Sequence, residues 1–143
     1  MIYSVDTCVL LDVLLPDPSH GLSSKEILKT ASEEVRLVIC PIVYGELSPQ
    51  FDTQASLDTF LKETAIELLP FTREVLWEAG KAWKEYMLRG GKRRQRIVPD
   101  FLIGAFSSLK AEAIITRDEG FYKEHFNLQV HYPSQLYAVK KAI

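Results

Sequence analysis

Short apolar runs alternate along the chain with longer segments of helical period. Ile2–Val5 is a buried-strand pattern that ends on Asp6, and Cys8–Leu15 continues as an apolar helical run until Pro16 and Pro18 stop it. Ser23 and Glu26 stand in capping-box register, predicting a helix to Glu34 with Ile27, Leu28 and Ala31 on its inner face. Val35–Cys40 is rich in β-branched residues and reads as a second strand. Pro41 then starts a helix that carries Glu46 and ends before Pro49. A helix over Ala55–Thr64 and a strand over Ile66–Leu69 follow. Thr72 caps a long helix to Leu88, with Val75, Leu76, Ala79, Trp83, Tyr86 and Met87 as its apolar stripe, and Gly90-Gly91 ends it. Pro99-Asp100 opens another helix with Leu102, Ile103, Phe106 and Leu109 inside. Ala113–Thr116 reads as a strand, Phe121 and Tyr122 as part of a short turn or helix, Leu128–His131 as a last strand and Pro133–Lys140 as a C-terminal helix.

Strands alternating with helices predict an α/β sandwich around a mostly parallel sheet. No linker, repeat or low-complexity tract divides the chain, so residues 1–143 read as one domain. The length of 143 residues, with 47% apolar and 25% charged, suits one soluble globular core. A formal net charge of -2 excludes a general nucleic-acid coat, though not a local basic patch. Cys8 and Cys40 each sit in an apolar stretch and read as small buried hydrophobes, without the close pairing or nearby histidines that zinc requires. Unpaired cysteines suggest a reducing compartment, most simply the cytoplasm. The start has no positive leader pattern, so no targeting segment is expected, and the apolar runs are too short to span a bilayer.

The candidate chemistry is acidic. Asp6, Glu46, Asp100 and Asp118 each fall where a strand hands over to a helix. A parallel sheet gathers such positions at the carboxyl ends of its strands. Four carboxylates there repel one another unless a divalent cation joins them, and oxygen ligands without His or Cys favour Mg²⁺ or Mn²⁺ over zinc. Such ions suit phosphodiester hydrolysis. Each acid also has an ordinary structural explanation: a helix cap for Asp100, a turn for Asp118, a solvated surface for Glu46. Asp6, ending an apolar strand, is the hardest to explain away. Asp12 sits on the first helix, away from the sheet edge, and is not expected to ligate.

SVDTCVLLDVL resembles the opening motif of PIN domains, IVYGEL their second acidic motif, and RIVPDFLIGAFSSLKAEAIITRDEGFY the third and fourth run together. The resemblance covers essentially the whole chain in motif order and spacing, and the nearest subgroup is the VapC-type toxins of toxin–antitoxin pairs. It implies a three-layer α/β/α sandwich with four or five strands. The implied activity is that of a Mg²⁺- or Mn²⁺-dependent endoribonuclease. By position, Asp6, Glu46, Asp100 and Asp118 match the four acids, with Asp6, Asp100 and Asp118 as metal ligands and Thr116 as the supporting hydroxyl. Thr7 follows the first acid and can assist it. The chain departs from the pattern at Cys8, where many relatives have Asn, and at Phe101-Leu102. A third departure is Gly120, where some relatives have an acid, so Asp118 and Glu119 both stand as candidates for the fourth corner. The resemblance also implies an antitoxin that covers the site, with the helices at Ser23–Glu34 and Ala55–Thr64 as candidate groove walls. It further implies a homodimer to which the helix ending near Leu88 contributes.

Residues 89–96 read RGGKRRQR, placing Arg89, Lys92, Arg93, Arg94 and Arg96 just before Asp100. A basic loop beside the acids offsets the repulsion an RNA strand meets there, and Arg117 is a further candidate for a phosphate contact. A solvated loop is the plain alternative. Trp77, Trp83, Phe101 and Phe106 have helical spacing and read as core. Tyr3, Tyr44 and Tyr122 are candidates for stacking on a base. His20, His125 and His131 stand alone and are poor candidates for a catalytic base. Two other readings compete. One is a catalytically idle PIN-like module that binds RNA or protein. The other is a phosphotransferase of the haloacid-dehalogenase type, disfavoured because Cys8 stands where its second Asp belongs.

Overall fold

The computed structural model describes residues 1–92 and 97–133. Ile2–Val5 forms β1, the middle strand of a five-stranded, wholly parallel sheet. On one side β1 pairs with β2 (Arg36–Ile39), which pairs with β3 (Ile66–Leu68). On the other it pairs with β4 (Ala113–Ile115), which pairs with β5 (Gln129–His131). The order β3-β2-β1-β4-β5 reverses direction between β1 and β4. That reversal is the topological switch point, where open parallel sheets leave a crevice beyond the strand ends. The sheet is buried on both faces: Val5, Leu37, Val38, Ile39, Ala113, Ile114 and Ile115 are all buried.

The crossovers are helical. Thr7–Leu14 (α1) and Gly21–Glu34 (α2) join β1 to β2. Pro41–Leu47 (α3), a 3-10 turn at Ser48–Gln50 and Gln54–Glu63 (α4) join β2 to β3. Arg73–Leu88 (α5) and Pro99–Lys110 (α6) join β3 to β4, and Phe121–His125 (α7) joins β4 to β5. The result is the expected α/β/α sandwich. Pro41 and Pro99 sit in the first turns of their helices, where their missing N–H costs nothing. Thr72 accepts from the Val75 N–H as the cap of α5, and Thr53 with Ser56 forms a capping box on α4. Helices α5 and α6 run antiparallel. Tyr86 meets Phe101 at one end of the pair, and Trp77 and Leu109 line one depression at the other. Among the described residues no helix is long and apolar enough to cross a membrane.

Three expectations need correction. Ser23 is not a cap: α2 begins at Gly21, and the Ser23 hydroxyl donates back to the His20 carbonyl. The Asp17 carboxylate accepts from the Ser19 and His20 N–H groups, which forms the turn that launches the helix earlier. Trp77 is not core, being 75% exposed, and Leu76 and Leu109 are exposed with it. The buried stripe of α5 is Val75, Ala79 and Ala82, spaced four and three residues apart, and Trp77 lies off that face. Finally, α6 buries Phe101, Gly104, Ala105 and Ser107 as well as Ile103 and Phe106. Most of the helix proposed for Pro133–Lys140 lies outside the described residues.

Candidate active site

Asp6 ends β1 and caps α1, directly over the switch point. Its backbone N–H donates to the Ile115 carbonyl at 2.9 Å, tying it to the end of β4. One carboxylate oxygen, Oδ1, accepts from the Thr7 N–H at 2.8 Å. The other, Oδ2, accepts from the Thr116 hydroxyl at 2.7 Å and from the Tyr122 hydroxyl at 3.2 Å. Asp6 is 8% exposed, and burial holds its carboxyl above the usual 3.8. Hydrogen bonds from Thr116, Thr7 and Tyr122 pull it back down, and the charge of Asp118 pushes it up again.

Two of the other acids, Glu46 and Asp118, are tied to it through Thr7, Thr116 and Tyr122. The Thr7 hydroxyl donates to Glu46 Oε1 at 2.8 Å, tying α3 to the start of α1. Thr116 Oγ1, which donates to Asp6, also accepts from the Asp118 N–H at 3.0 Å. Asp118 Oδ2 accepts from the Tyr122 N–H at 3.3 Å, at the opening of α7. Asp100 lies in the first turn of α6, exposed, and its charge together with that of Asp6 bears on the buried Tyr122 phenol. Burial and those two charges raise the phenol far above its usual range, so Tyr122 remains a neutral donor. Glu119 is exposed, and its carbonyl accepts from Tyr132. Of the two candidates for the fourth corner, Asp118 is the one whose charge acts on Asp6.

Several expected roles fall elsewhere. Arg117 is engaged by another acid: its Nε and Nη2 donate to Asp12 Oδ2 and Oδ1 at 2.8 and 2.9 Å. Asp12 also accepts from Ser24, so this buried carboxylate pins α1, α2 and the loop after β4 together. Tyr122 is buried and cannot stack on a base. Tyr3 stacks on His131, with ring centroids 5.0 Å apart, and Tyr44 donates to Asp58. Lys92 is exposed near the acid-bearing end of α6, whereas Arg93, Arg94 and Arg96 lie outside the described residues. Cys40 is buried as expected. Cys8 instead reaches the site, its sulfur 3.8 Å from Asp6 Oδ2 and 3.7 Å from Thr116 Oγ1. Burial and the Asp6 charge raise its thiol, which disfavours the thiolate a nucleophile needs. The role of Tyr122 was hidden in the sequence, because its hydroxyl reaches Asp6 only through the fold.

The donors are all carboxylate oxygens, which suits a hard divalent cation in kind, but among the described residues no three of these acids bring ligand atoms within 4.8 Å of one another. Among the described residues no Lys, Arg or His forms an ion pair with Asp6, Glu46 or Asp118. A second cluster, Asp12, Asp17 and His20, brings its potential ligand atoms within 4.8 Å of one another. Its oxygens are already engaged by Arg117, Ser24 and the Ser19 and His20 N–H groups, which gives it a structural explanation.

The model of the PIN domain matches residues 3–125. The chain belongs to the PIN domain family. The PIN fold is shared with solved structures of low sequence identity. VapBC2 from Rickettsia felis, bound to a DNA fragment from its promoter, matches with a TM-score of 0.71 at 21% identity, covering 92% of this chain and 98% of that one. VapBC-1 from nontypeable Haemophilus influenzae matches with a TM-score of 0.70 at 20% identity, covering 94% and 99%. VapC20 from Mycobacterium tuberculosis, a sarcin–ricin loop cleaving toxin, matches with a TM-score of 0.53 at 18% identity, covering 86% and 93%. No curated protein matches this PIN chain in sequence.

Proposed function

We propose that this PIN domain is a Mg²⁺- or Mn²⁺-dependent endoribonuclease and the toxin of a type II toxin–antitoxin pair. The observation that carries the reading is the buried Asp6 at the switch point, joined through Thr7, Thr116 and Tyr122 to Glu46 and Asp118. Asp6, Asp100 and Asp118 would hold the cation. When bound, it supplies charge neutralisation at the phosphate and a lowered pKa for water. Thr116 fixes the Asp6 carboxylate and the Asp118 backbone at once. Thr7 holds Glu46 where it can orient a water and accept its proton as the water attacks phosphorus. The bond to the leaving ribose oxygen then breaks, its electron pair going to that oxygen, which takes up a proton from solvent.

The structural neighbours support the rest of the reading. Several are complexes of a toxin with its antitoxin, and one toxin cleaves RNA. By that likeness we assign this chain an antitoxin partner; a homodimeric state, a cytoplasmic setting and one nuclease domain over the whole chain belong to the same proposal. The test is incubation with total RNA in Mg²⁺, in Mn²⁺ and in a chelator. Cleavage is expected with either metal and absent in the chelator. Metal-dependent cleavage that survives in a folded Asp6→Asn/Asp100→Asn variant would overturn the mechanism.

A further inference from the structure

The end of α5 closes with a specific piece of backbone. The Gly91 N–H donates to the Tyr86 carbonyl at 3.0 Å and the Gly90 N–H to the Met87 carbonyl at 3.1 Å, with Gly90 at φ +89°. This is a Schellman cap, and only glycine adopts its left-handed residue without strain. A Cβ at Gly91 would run into the Tyr86 ring, so the chain folds flat against that ring. The Lys92 N–H then donates to the Tyr86 hydroxyl at 3.3 Å. Arg89 and Lys92 are thus held on either side of a fixed two-glycine turn rather than on a free loop.

Beside that turn lies an open pocket of about 340 Å³, lined by Tyr86, Arg89, Lys92, Glu124 and His125 with the two glycines. His125 is packed among the Tyr86, Phe101 and Phe121 rings, with centroids 5.9, 5.2 and 4.7 Å away. Phe101 follows Asp100 directly, and Phe121 opens α7 three residues after Asp118. The pocket therefore sits one layer of aromatic side chains from the acids, at the same end of the α5–α6 pair.

We propose that this pocket is a subsite for a backbone phosphate of single-stranded RNA, next to the phosphate that is cut. Arg89 and Lys92 supply the charge. The cap satisfies carbonyls at the end of α5 that would otherwise face an anion. Tyr86 and His125 form a rigid wall. Among the described residues Glu124 is the one acid on the lining; its side chain is 68% exposed and can swing into water. A phosphate held here offsets the repulsion that the four acids impose on the same strand. The assignment rests on the nuclease reading for the identity of the ligand, but the binding it describes needs neither metal nor turnover.

The test uses the full chain and a labelled single-stranded oligoribonucleotide in chelator, so that binding is read without cleavage. Affinity is measured across a salt series for wild type, for Arg89→Gln/Lys92→Gln, and for Arg73→Gln/Lys110→Gln. The last variant removes the same charge from the far ends of α5 and α6. The subsite variant should bind several-fold more weakly at low salt. Its log K against log[salt] slope should flatten by about 0.7 for each phosphate that the protein no longer neutralises. The far-end variant should follow wild type. An unchanged slope in the subsite variant, an equal change in the far-end variant, or no RNA binding by wild type would overturn the subsite. Binding that behaves as expected in a protein that cuts no RNA in Mg²⁺ or Mn²⁺ would leave the subsite standing and remove the nuclease reading instead.

Discussion

Tyr122 does two jobs from one position: its hydroxyl donates to Asp6 and its backbone N–H to Asp118. Phenylalanine would keep the second bond and the packing and lose the first. Tyr122→Phe is expected to lower stability by about 1.5–3 kcal/mol, the ordinary value of a hydrogen bond to a charged group, measured by urea unfolding at neutral pH. Asp6 sets the pH dependence. Its folded carboxyl lies above 3.8, so the folded state binds the proton more tightly than the unfolded chain. Without metal, Asp6 therefore contributes stability that is full below 3.8 and is lost as pH rises through its folded value. A cation competes with that proton. The Mg²⁺-induced rise in Tm should be clear at neutral pH and should vanish on acidification at a pH above 3.8; a rise that persists unchanged below 3.8 would exclude Asp6 as a ligand. Asp6 and Asp118 stood out in the sequence because each follows the end of a strand, whereas Asp100 opens a helix that follows another helix and Glu46 lies near the end of α3, so the strand-to-helix pattern expected for all four holds for two. The partners that orient them were not legible there, because Tyr122 lies 116 positions from Asp6, and no local pattern encodes that meeting.

The clip between α1 and the loop after β4 is a bidentate pair with one buried member. Asp12 is nearly inaccessible, while the Arg117 side chain is 33% exposed. Losing the arginine strands a buried carboxylate; losing the aspartate leaves a cation that can turn to water. Arg117→Ala should therefore cost about 3 kcal/mol and Asp12→Ala clearly less, compared by chemical denaturation. Equal losses would mean that Asp12 is relieved by Ser24 alone. The sequence suggested Arg117 for phosphate because it adjoins Asp118, whereas in the fold its guanidinium is engaged by Asp12. Element boundaries were legible where Pro41, Thr72 and Pro99 mark helix starts. They were not at α2, where a turn built on Asp17 overrode the capping pattern at Ser23. At Gly104, a Cβ would enter the ring of Phe126. Gly104→Ala should cost about 2 kcal/mol by overpacking, read as a lower denaturation midpoint.

The strand order was open in the sequence, although alternation alone predicted a parallel sheet with helical crossovers. Periodicity also cannot separate a core tryptophan from an exposed one on the same helix, which is why Trp77 was misplaced. Its exposed face with Leu76 and Leu109 lies at the end of the α5–α6 pair away from the acids. If the proposed homodimer uses this face, Trp77→Ser should yield a monomer by light scattering with RNA cleavage per chain retained. A dimer of unchanged mass would place the contact elsewhere.

The central position of β1 has a consequence for synthesis. β1 is made well before its neighbour β4, and Asp6 meets Thr116 only after 110 further residues have been added. No nascent fragment ending before β4 holds Asp6 and Thr116 together. If the proposed nuclease activity holds, a ribosome translating this message meets no cleavage by a fragment shorter than that.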